Sequence, residues 1–85
     1  MPPYDLVITP SAERDIRDLE WTTADAVNAK IADLATTPRP PGCKKLVNSD
    51  AWRIRIRDYR VLYYIDDQKR QVKISAVRHR REVYD

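Results

Sequence analysis

Residues 51–65, AWRIRIRDYRVLYYI, carry the clearest chemistry in this sequence. Apolar and basic residues alternate there in two short runs on either side of Arg57-Asp58, which is typical of two half-buried strands joined by a tight turn. With that turn, Arg55 lies directly opposite Arg60, and like charges in this relation destabilise a sheet unless an anion lies between them. A bound phosphate would supply the anion.

The arginine spacing in this hairpin suits a sugar-phosphate chain. Arg53 and Arg55 are two residues apart on one predicted strand, so their Cα atoms are about 6.6 Å apart, a step comparable to that between successive phosphates. Arg60 faces them from the next strand, and guanidinium groups bind phosphate bidentately. Cleavage of RNA by attack of a ribose 2′-OH on the adjacent phosphate needs positive charge around the developing phosphorane. His79 and Tyr84 are the titratable candidates for proton transfer.

Further basic residues can surround this surface. They are Lys44 and Lys45 before the hairpin, and Arg78, His79, Arg80 and Arg81 after the last predicted strand. A charged strand face is often only solvated, and for Arg53, Arg55 and Arg57 this alternative stays open at the level of sequence. Tyr64, on the same face, could stack on a base or be a simple half-buried tyrosine.

Charge is unevenly distributed along the chain. Residues 1–42 carry a net charge of −3 and residues 43–85 a net charge of +6, in a chain with a pI near 9.2. This asymmetry favours a polyanionic partner, most simply nucleic acid, that contacts the C-terminal half.

Length and composition limit the possible classes. The 85 residues, of which 42% are hydrophobic and 34% charged, predict a single globular domain spanning residues 1–85. One cysteine, one histidine and one glycine make a zinc site improbable and a glycine-rich phosphate loop impossible, so we expect no metal and no other cofactor. With no apparent signal peptide or membrane span, the expected location is cytoplasmic.

Two helices are predicted before the hairpin. Tyr4–Ile8 favours a first strand, and Thr9-Pro10 supplies an N-cap and a first helical residue. Thr22 is the predicted N-cap of a second helix that runs to about Ala35. The predicted buried stripes consist of Ala12, Ile16 and Leu19 on the first helix and of Val27, Ile31 and Leu34 on the second.

The remaining segments complete a sheet. A proline-rich connection at residues 37–42 leads through a turn-rich stretch to the hairpin, and a four-residue turn at 66–69 leads to a last strand at 70–77. This turn pairs Tyr63 with Val72, Val61 with Ile74, and Arg60 with Ser75. The prediction is an α+β fold in which two helices pack on one face of a four-stranded, mainly antiparallel sheet, and the other face stays basic.

The C-terminal half resembles a known family. The strings GCKKLVNSDAWRIRIRDYRVLYYIDD and ISAVRHRREVY contain a Lys-Leu segment, Trp-Arg-Ile-Arg, Tyr-Arg-Val-x-Tyr and a closing His-Arg-x-x-x-Tyr. This combination is similar to the RelE branch of the RelE/ParE superfamily of bacterial toxins from type II toxin–antitoxin modules. The resemblance covers residues 42–84, while the first forty residues match only in the order of their elements.

The resemblance implies a microbial-RNase-like fold and a specific activity. It implies a metal-independent endoribonuclease that cuts mRNA in the A site of the 70S ribosome and leaves a 2′,3′-cyclic phosphate and a 5′-OH. In the family pattern the catalytic positions correspond to Arg53, Arg55, Arg60, Arg80 and Tyr84. Arg55 and Arg60 would hold the scissile phosphate, Arg80 would act at the leaving 5′-oxygen, and Tyr84 would orient the substrate.

Two assignments stay open in this pattern. Family members carry lysine at the position of Arg53, and arginine effectively never loses its proton, so the general base is unassigned. Arg78 and Arg80 compete for the role at the leaving group.

Partners and alternatives follow from the same resemblance. It implies neutralisation by a small RelB-like antitoxin, in addition to mRNA on the ribosome as substrate. The alternatives are a ParE-like inhibitor of DNA gyrase on the same fold and a non-catalytic nucleic-acid-binding module.

Overall fold

The computed structural model describes residues 2–82 of the chain. In chain order its elements are β1 (Asp5–Ile8), α1 (Pro10–Arg17), α2 (Trp21–Asp33), β2 (Lys44–Lys45), β3 (Trp52–Ile56), β4 (Tyr59–Asp66), β5 (Gln71–His79) and a short 3₁₀-helix (Arg80–Glu82). Within the described residues the strands form one five-stranded sheet in the order β1-β5-β4-β3-β2. Only the β1–β5 pair in this sheet is parallel.

The predicted α+β class is confirmed, but the strand count of four is wrong. The additional strand is β2, in which Lys44 pairs with Arg53 and Lys45 with Trp52. Two lysines carry no apolar alternation, so this strand forms because β3 offers a free edge beside it rather than through any local pattern.

Thr9 joins β1 to α1 as predicted. Its Oγ1 accepts the N–H of Ala12 at 3.1 Å, and Pro10 is the first helical residue. The same hydroxyl donates to the carbonyl of Ser75 at 3.1 Å, and the Thr9 N–H donates to that of Ile74 at 3.1 Å. The start of α1 is therefore fixed to β5.

The predicted boundaries of α2 need correction. Thr22 is not the N-cap, because the helix begins at Trp21, two residues earlier than predicted, and the Thr22 hydroxyl donates instead to Glu20 Oε1 at 3.0 Å. Glu20 occupies the N-cap position without a side-chain capping bond. The helix also ends two residues earlier than predicted, where the Leu34 N–H turns to the carbonyl of Ile31, three residues back.

The β3–β4 hairpin has the predicted register. Its pairs are Trp52 with Tyr63, Arg53 with Leu62, Ile54 with Val61, Arg55 with Arg60, and Ile56 with Tyr59. Arg57 has a φ of 55°, the positive value that primed two-residue turns require at their first central position.

The β4–β5 register differs from the prediction for two reasons. The turn comprises residues 67–70, one residue later than predicted, because Asp66 Oδ1 accepts the N–H of Lys69 at 3.0 Å and Arg70 takes a φ of 51°. Tyr63 consequently pairs with Ile74. An irregularity at Leu62/Tyr63 then leaves Ser75 as an extra residue on β5.

Beyond this bulge the partners shift once more. Val61 pairs with Val77 rather than Ile74, and Arg60 pairs with Arg78 rather than Ser75.

The core lies between the two helices and one face of the sheet. The predicted inward residues of α2, Val27, Ile31 and Leu34, are buried, as are Ala12 of α1 and Tyr63 of β4. Neither helix of the described part of the chain is long and apolar enough to cross a membrane. The opposite face of the sheet carries polar side chains, among them Arg55 and Arg60.

Candidate nucleic-acid interface

Three arginines lie side by side across three neighbouring strands. Arg60 on β4 pairs with Arg55 on β3 and with Arg78 on β5, and we call these three residues the arginine row. Because neighbouring strands are about 4.8 Å apart, the row spans about 10 Å. Arg55 is exposed and the other two are half-buried. Such a row concentrates positive charge and forked N–H donors, which suits a phosphate.

The bulge in β5 determines the third member of this row. Without the extra residue Ser75, the register of β4 and β5 next to their connecting turn would continue along both strands and pair Val77 with Arg60. The bulge moves Arg78 into that position. The sequence contains no local signal for this bulge, so the prediction paired Arg60 with Ser75 and missed the row.

Arg53 lies in the next position along β3, between Lys44 and Leu62 of the neighbouring strands. Its side chain was expected to be open to solvent, but Arg53 is only 6% exposed. The unpredicted strand β2 pairs with β3 at this residue, so Arg53 lies inside the sheet rather than at its edge. Of the three hairpin arginines proposed to bind phosphate, Arg55 and Arg60 are the accessible ones.

Arg57 does not belong to the basic face, in contrast to the prediction. Its Nη1 donates to Thr23 Oγ1 at 3.1 Å and to Thr22 Oγ1 at 3.5 Å, at the start of α2. The positive φ of this turn residue takes its side chain out of the strand alternation. Arg57 therefore connects the hairpin turn to the helical layer.

The basic residues that follow β5 separate in space. Arg80 lies at the hairpin turn, where its N–H donates to the carbonyl of Asp58 at 2.7 Å and its Nε is 3.8 Å from Asp58 Oδ1. Its side chain is 62% exposed. Arg81, also exposed, lies in the same 3₁₀-helix. Tyr84, predicted to be catalytic, lies outside the described residues.

His79, predicted to be among the residues around the basic face, packs against Tyr59. It pairs with Tyr59, which packs against the core, and the two rings meet edge to face with centroids 5.3 Å apart. Side chains alternate across a strand, so His79 lies on the opposite face from its neighbour Arg78. Its Nδ1 accepts the N–H of Arg81 at 3.3 Å.

The two lysines of β2 also separate by alternation. Lys44 pairs with Arg53 and so lies on the face of the arginine row, whereas Lys45 pairs with Trp52. Lys45 Nζ is 3.8 Å from Asp50 Oδ1, at an exposed position. Lys44 is thus the lysine that extends the basic face.

Asp15 is a residue of this site that the sequence analysis missed. From α1, its Oδ2 accepts the N–H of Val77 at 2.9 Å, and its Oδ1 is 3.7 Å from Arg78 Nη1. The Asp15 carboxylate therefore accepts a backbone hydrogen bond from β5 at a point where β1 no longer pairs with it. The same carboxylate lies near Arg78, at one end of the arginine row. In the sequence, an acidic residue in the first turns of a helix indicates only a favourable interaction with the helix dipole.

A second polar cluster lies at the far end of the sheet. Asp67 accepts hydrogen bonds from Arg39 Nη2 at 2.9 Å and from the Tyr4 hydroxyl at 2.6 Å. These two contacts, that of Arg39 first, hold the pKa of Asp67 below its ordinary value. The cluster fastens the proline-rich connection to the β4–β5 turn.

Nearby, Tyr63 is fully buried and its hydroxyl donates to the carbonyl of Pro38 at 2.8 Å. Burial, and then the proximity of Cys43, raises the pKa of Tyr63. Among residues 2–82, no three His, Cys, Asp or Glu side chains converge in a way that could hold a metal ion.

Comparison with known proteins connects this geometry to a family. A family model described as the ParE toxin of type II toxin–antitoxin systems, parDE, matches residues 6–84. A chain of the RelBE toxin–antitoxin complex from Mycobacterium tuberculosis is 32% identical with a TM-score of 0.82, and the match covers 91% of this chain and 98% of that one. No curated protein sequence matches at a significant level.

Two further solved structures share the fold. The isolated E. coli RelE toxin is 26% identical with a TM-score of 0.77, over 89% of this chain and 83% of that one. A chain of the archaeal RelE–RelB complex from Pyrococcus horikoshii is 22% identical with a TM-score of 0.84, over 95% and 99% respectively.

Proposed function

Because this chain belongs to the ParE toxin family of type II toxin–antitoxin systems, we propose that it is a toxin that acts as a RelE-type, ribosome-dependent endoribonuclease. The observation that carries the proposal is the arginine row, in which Arg55, Arg60 and Arg78 are cross-strand neighbours on β3, β4 and β5. Three like charges in neighbouring cross-strand positions destabilise a sheet, and a bound anionic ligand would offset their repulsion.

The proposed reaction is an internal transesterification of RNA. The 2′-OH gives up its proton to the unassigned base and its oxygen forms a bond to the adjacent phosphorus. The bond from phosphorus to the 5′-oxygen breaks, and that oxygen takes up a proton, which leaves a 2′,3′-cyclic phosphate and a 5′-OH. Arg55 and Arg60 hold the scissile phosphate and stabilise the charge that develops on its oxygens. Both guanidinium groups stay protonated throughout, so their role is electrostatic.

Arg80 is the better placed of the two candidates for the leaving group. Each has a carboxylate nearby, Asp15 at 3.7 Å from Arg78 and Asp58 at 3.8 Å from Arg80, but the Arg80 side chain is 62% exposed against 42% for Arg78 and extends from the end of the sheet. We therefore assign Arg80 to the leaving 5′-oxygen and Arg78 to substrate binding. The proposal keeps Tyr84 as the residue that orients the substrate and leaves the general base unassigned.

The outer residues of the site receive supporting roles. Lys44 and Arg81 are exposed and are proposed to contact the substrate backbone near the arginine row. Lys45, exposed beside Asp50, is proposed to contact the RNA further from the scissile phosphate. Arg53, being buried, is proposed to support Arg55 and Lys44 rather than to touch the scissile phosphate. His79, on the other face of the sheet, is no longer part of the proposed site.

The proposed partners are mRNA on the 70S ribosome and a RelB-like antitoxin. Solved relatives include complexes described as toxin–antitoxin pairs, such as the M. tuberculosis RelBE complex. A small acidic or helical chain that covers the basic face would block phosphate access. Co-purification with the product of a neighbouring reading frame tests this part, and normal growth on overexpression without any partner would argue against toxicity. A cytoplasmic location is part of the same proposal.

Primer extension on translated mRNA after induction tests the activity. The wild-type chain should produce new cuts with 5′-OH ends, and an Arg60→Ala, Arg80→Ala double variant should lose them. Arg14→Gln, which removes a charge on the exposed side of α1, is the matched control and should cut like the wild type. Absence of cuts in the wild type, or their persistence in the double variant, would refute the proposal.

Gyrase inhibition is the second candidate, because the matching family model carries the ParE description. A DNA supercoiling assay with the same purified protein separates the two functions. Inhibition of supercoiling that survives the Arg60→Ala, Arg80→Ala change would favour gyrase. Salt-dependent RNA binding with neither activity would instead indicate a non-catalytic binding module.

A further inference from the structure

The face that carries the arginine row continues to an exposed tyrosine. Tyr64 lies four residues after Arg60 on β4, about 13 Å along the strand, and side-chain alternation places both on the same face. Tyr64 pairs with Lys73 of β5 and is 41% exposed. A two-residue step of about 6.6 Å along a strand is comparable to the step between successive phosphates, so an RNA strand that follows β4 would place a base two nucleotides from the row at Tyr64.

Tyr64 forms one wall of an open cavity of about 670 Å³ at the end of β4 away from the hairpin turn. We call it the Tyr64 cavity. Trp52 also lines it, with the Arg39 guanidinium 5.2 Å from its ring centroid, and Gln68 and Gln71 contribute amide groups. Ligand pockets usually measure about 300–1,000 Å³ and combine apolar walls with a few polar groups. The volume of the cavity falls within that range, and eight of its eleven lining residues are polar or charged.

The charges around the Tyr64 cavity cancel formally. Its basic and acidic lining residues are Arg39, Lys45 and Lys73 against Asp50, Asp66 and Asp67. Arg39 is paired with Asp67 at 2.9 Å, and Lys45 lies 3.8 Å from Asp50. A phosphate group should therefore bind to the arginine row in preference to this cavity. A neutral, flat ring with hydrogen-bonding edges fits it better, because aromatic walls stack on such rings and amides pair with their edges.

We propose that the Tyr64 cavity is a nucleobase subsite, which receives a base of the RNA two nucleotides from the phosphate held by the arginine row. Tyr64 is the stacking platform, and Gln68 and Gln71 contact the edge of the base. The inference rests on the proposed function, since it takes the RNA that the arginine row would bind. It adds a means of recognising the neighbouring base, which a row of phosphate contacts cannot provide.

Binding of a short, non-cleavable 2′-O-methyl oligoribonucleotide to the purified toxin, measured by fluorescence anisotropy, tests the subsite. Base stacking on an aromatic side chain contributes about 1–3 kcal/mol, so Tyr64→Ala should weaken binding about 5- to 150-fold. Tyr64→Phe, which keeps the ring, should bind within about twofold of the wild type. Trp21→Ala is the matched control, because Trp21 is an aromatic residue of α2 that is 74% exposed and lies outside the cavity.

Abasic oligonucleotides test the same contact without any protein variant. An abasic site moved along the RNA should weaken binding to the wild-type toxin at one position, and that loss should vanish in Tyr64→Ala, as a double-mutant cycle requires. Unchanged affinity of Tyr64→Ala, equal losses in both proteins, or no RNA binding by the wild type would overturn the subsite. If Tyr64→Ala loses antitoxin binding but keeps the RNA affinity of the wild type, the cavity is a protein-binding site and the subsite proposal is overturned.

These outcomes separate the subsite from the proposed function. Coupling between Tyr64 and one base in a toxin that makes no cuts supports the subsite and refutes the nuclease. Cutting that is equally efficient in the wild type and in Tyr64→Ala, together with equal RNA affinity, supports the nuclease and refutes the subsite.

Discussion

Arg55 and Arg60 face each other as a cross-strand pair in the β3–β4 hairpin. Directly opposite positions in a sheet are stabilised by opposite charges or by apolar pairs and destabilised by like charges, by about 0.2–1 kcal/mol. Arg78 extends the same row on β5. This arrangement is unfavourable for the folded chain alone and favourable for an anion, which is the physical argument for a site on this face.

Replacement of Arg55 by glutamine should therefore separate stability from function. We expect the free energy of unfolding to rise by several tenths of a kcal/mol, while cleavage of translated mRNA falls about a hundredfold or more because one phosphate contact is lost. Urea denaturation and quantitative primer extension measure the two effects. Arg14→Gln on α1 should change neither, and an Arg55→Gln protein that is less stable yet fully active would contradict the prediction.

Asp15 should prove structural through its backbone contact. Asp15→Ala leaves the Val77 N–H without its acceptor in a partly buried position, which should cost about 1–3 kcal/mol. Asp15→Asn retains an acceptor oxygen and loses only the ion pair with Arg78, so most of the stability should return. Chemical denaturation of both variants tests this order. Equal losses in the two variants would show that the ion pair, rather than the hydrogen bond, is what matters.

Asp67 should make stability depend on acid pH. Its pKa in the folded chain is lowered from 3.8, chiefly by Arg39 and then by Tyr4, so its contribution is present above that value and is lost as pH falls through the folded pKa. Asp67→Asn should consequently destabilise the protein at neutral pH and lose this effect in strong acid. Denaturation curves across acid pH measure it. Asp50→Asn, at an almost fully exposed carboxylate, is the matched control and should keep the wild-type dependence of stability on acid pH.

Tyr63 should make the stability of the protein fall at alkaline pH, whereas Asp67 makes it fall at acid pH. Burial raises its pKa above the ordinary 10.0, so the unfolded chain ionises first and stability falls as pH rises above about 10. Tyr63→Phe should lose about 1 kcal/mol at neutral pH, with the hydrogen bond to Pro38, and should show a smaller alkaline loss. Tyr64→Phe is the matched control. An alkaline stability profile of Tyr63→Phe identical to that of the wild type would contradict the assignment.

Local patterns were sufficient for the hairpin and for the start of α1. The β3–β4 register follows from alternation and a two-residue turn, and the Thr9 cap follows from side-chain chemistry within one helical turn. The prediction of the β4–β5 register failed because a four-residue turn can begin at either residue 66 or residue 67. A side-chain contact of Asp66 and a positive φ at Arg70 select the later turn.

The candidate site was predicted only in part, because some of its residues come together through contacts between distant segments of the chain. Arg55 opposite Arg60 could be inferred from one hairpin, but Arg78 reaches the row only through a bulge in another strand pair. The burial of Arg53 depends on a strand of two lysines that has no pattern of its own. Asp15 contributes from a helix more than sixty residues away in sequence from Val77.

The sequence alone determined the class of fold, the main hairpin, the basic character of one sheet face and the toxin family to which these motifs point. Each of these depends on residue type and short-range spacing, which one strand or one turn can express. The tertiary structure decided which cations share a surface, which one is buried and where a base could stack. Those outcomes depend on register and edge pairing between distant segments, where a shift of one residue moves a side chain to the other face of the sheet.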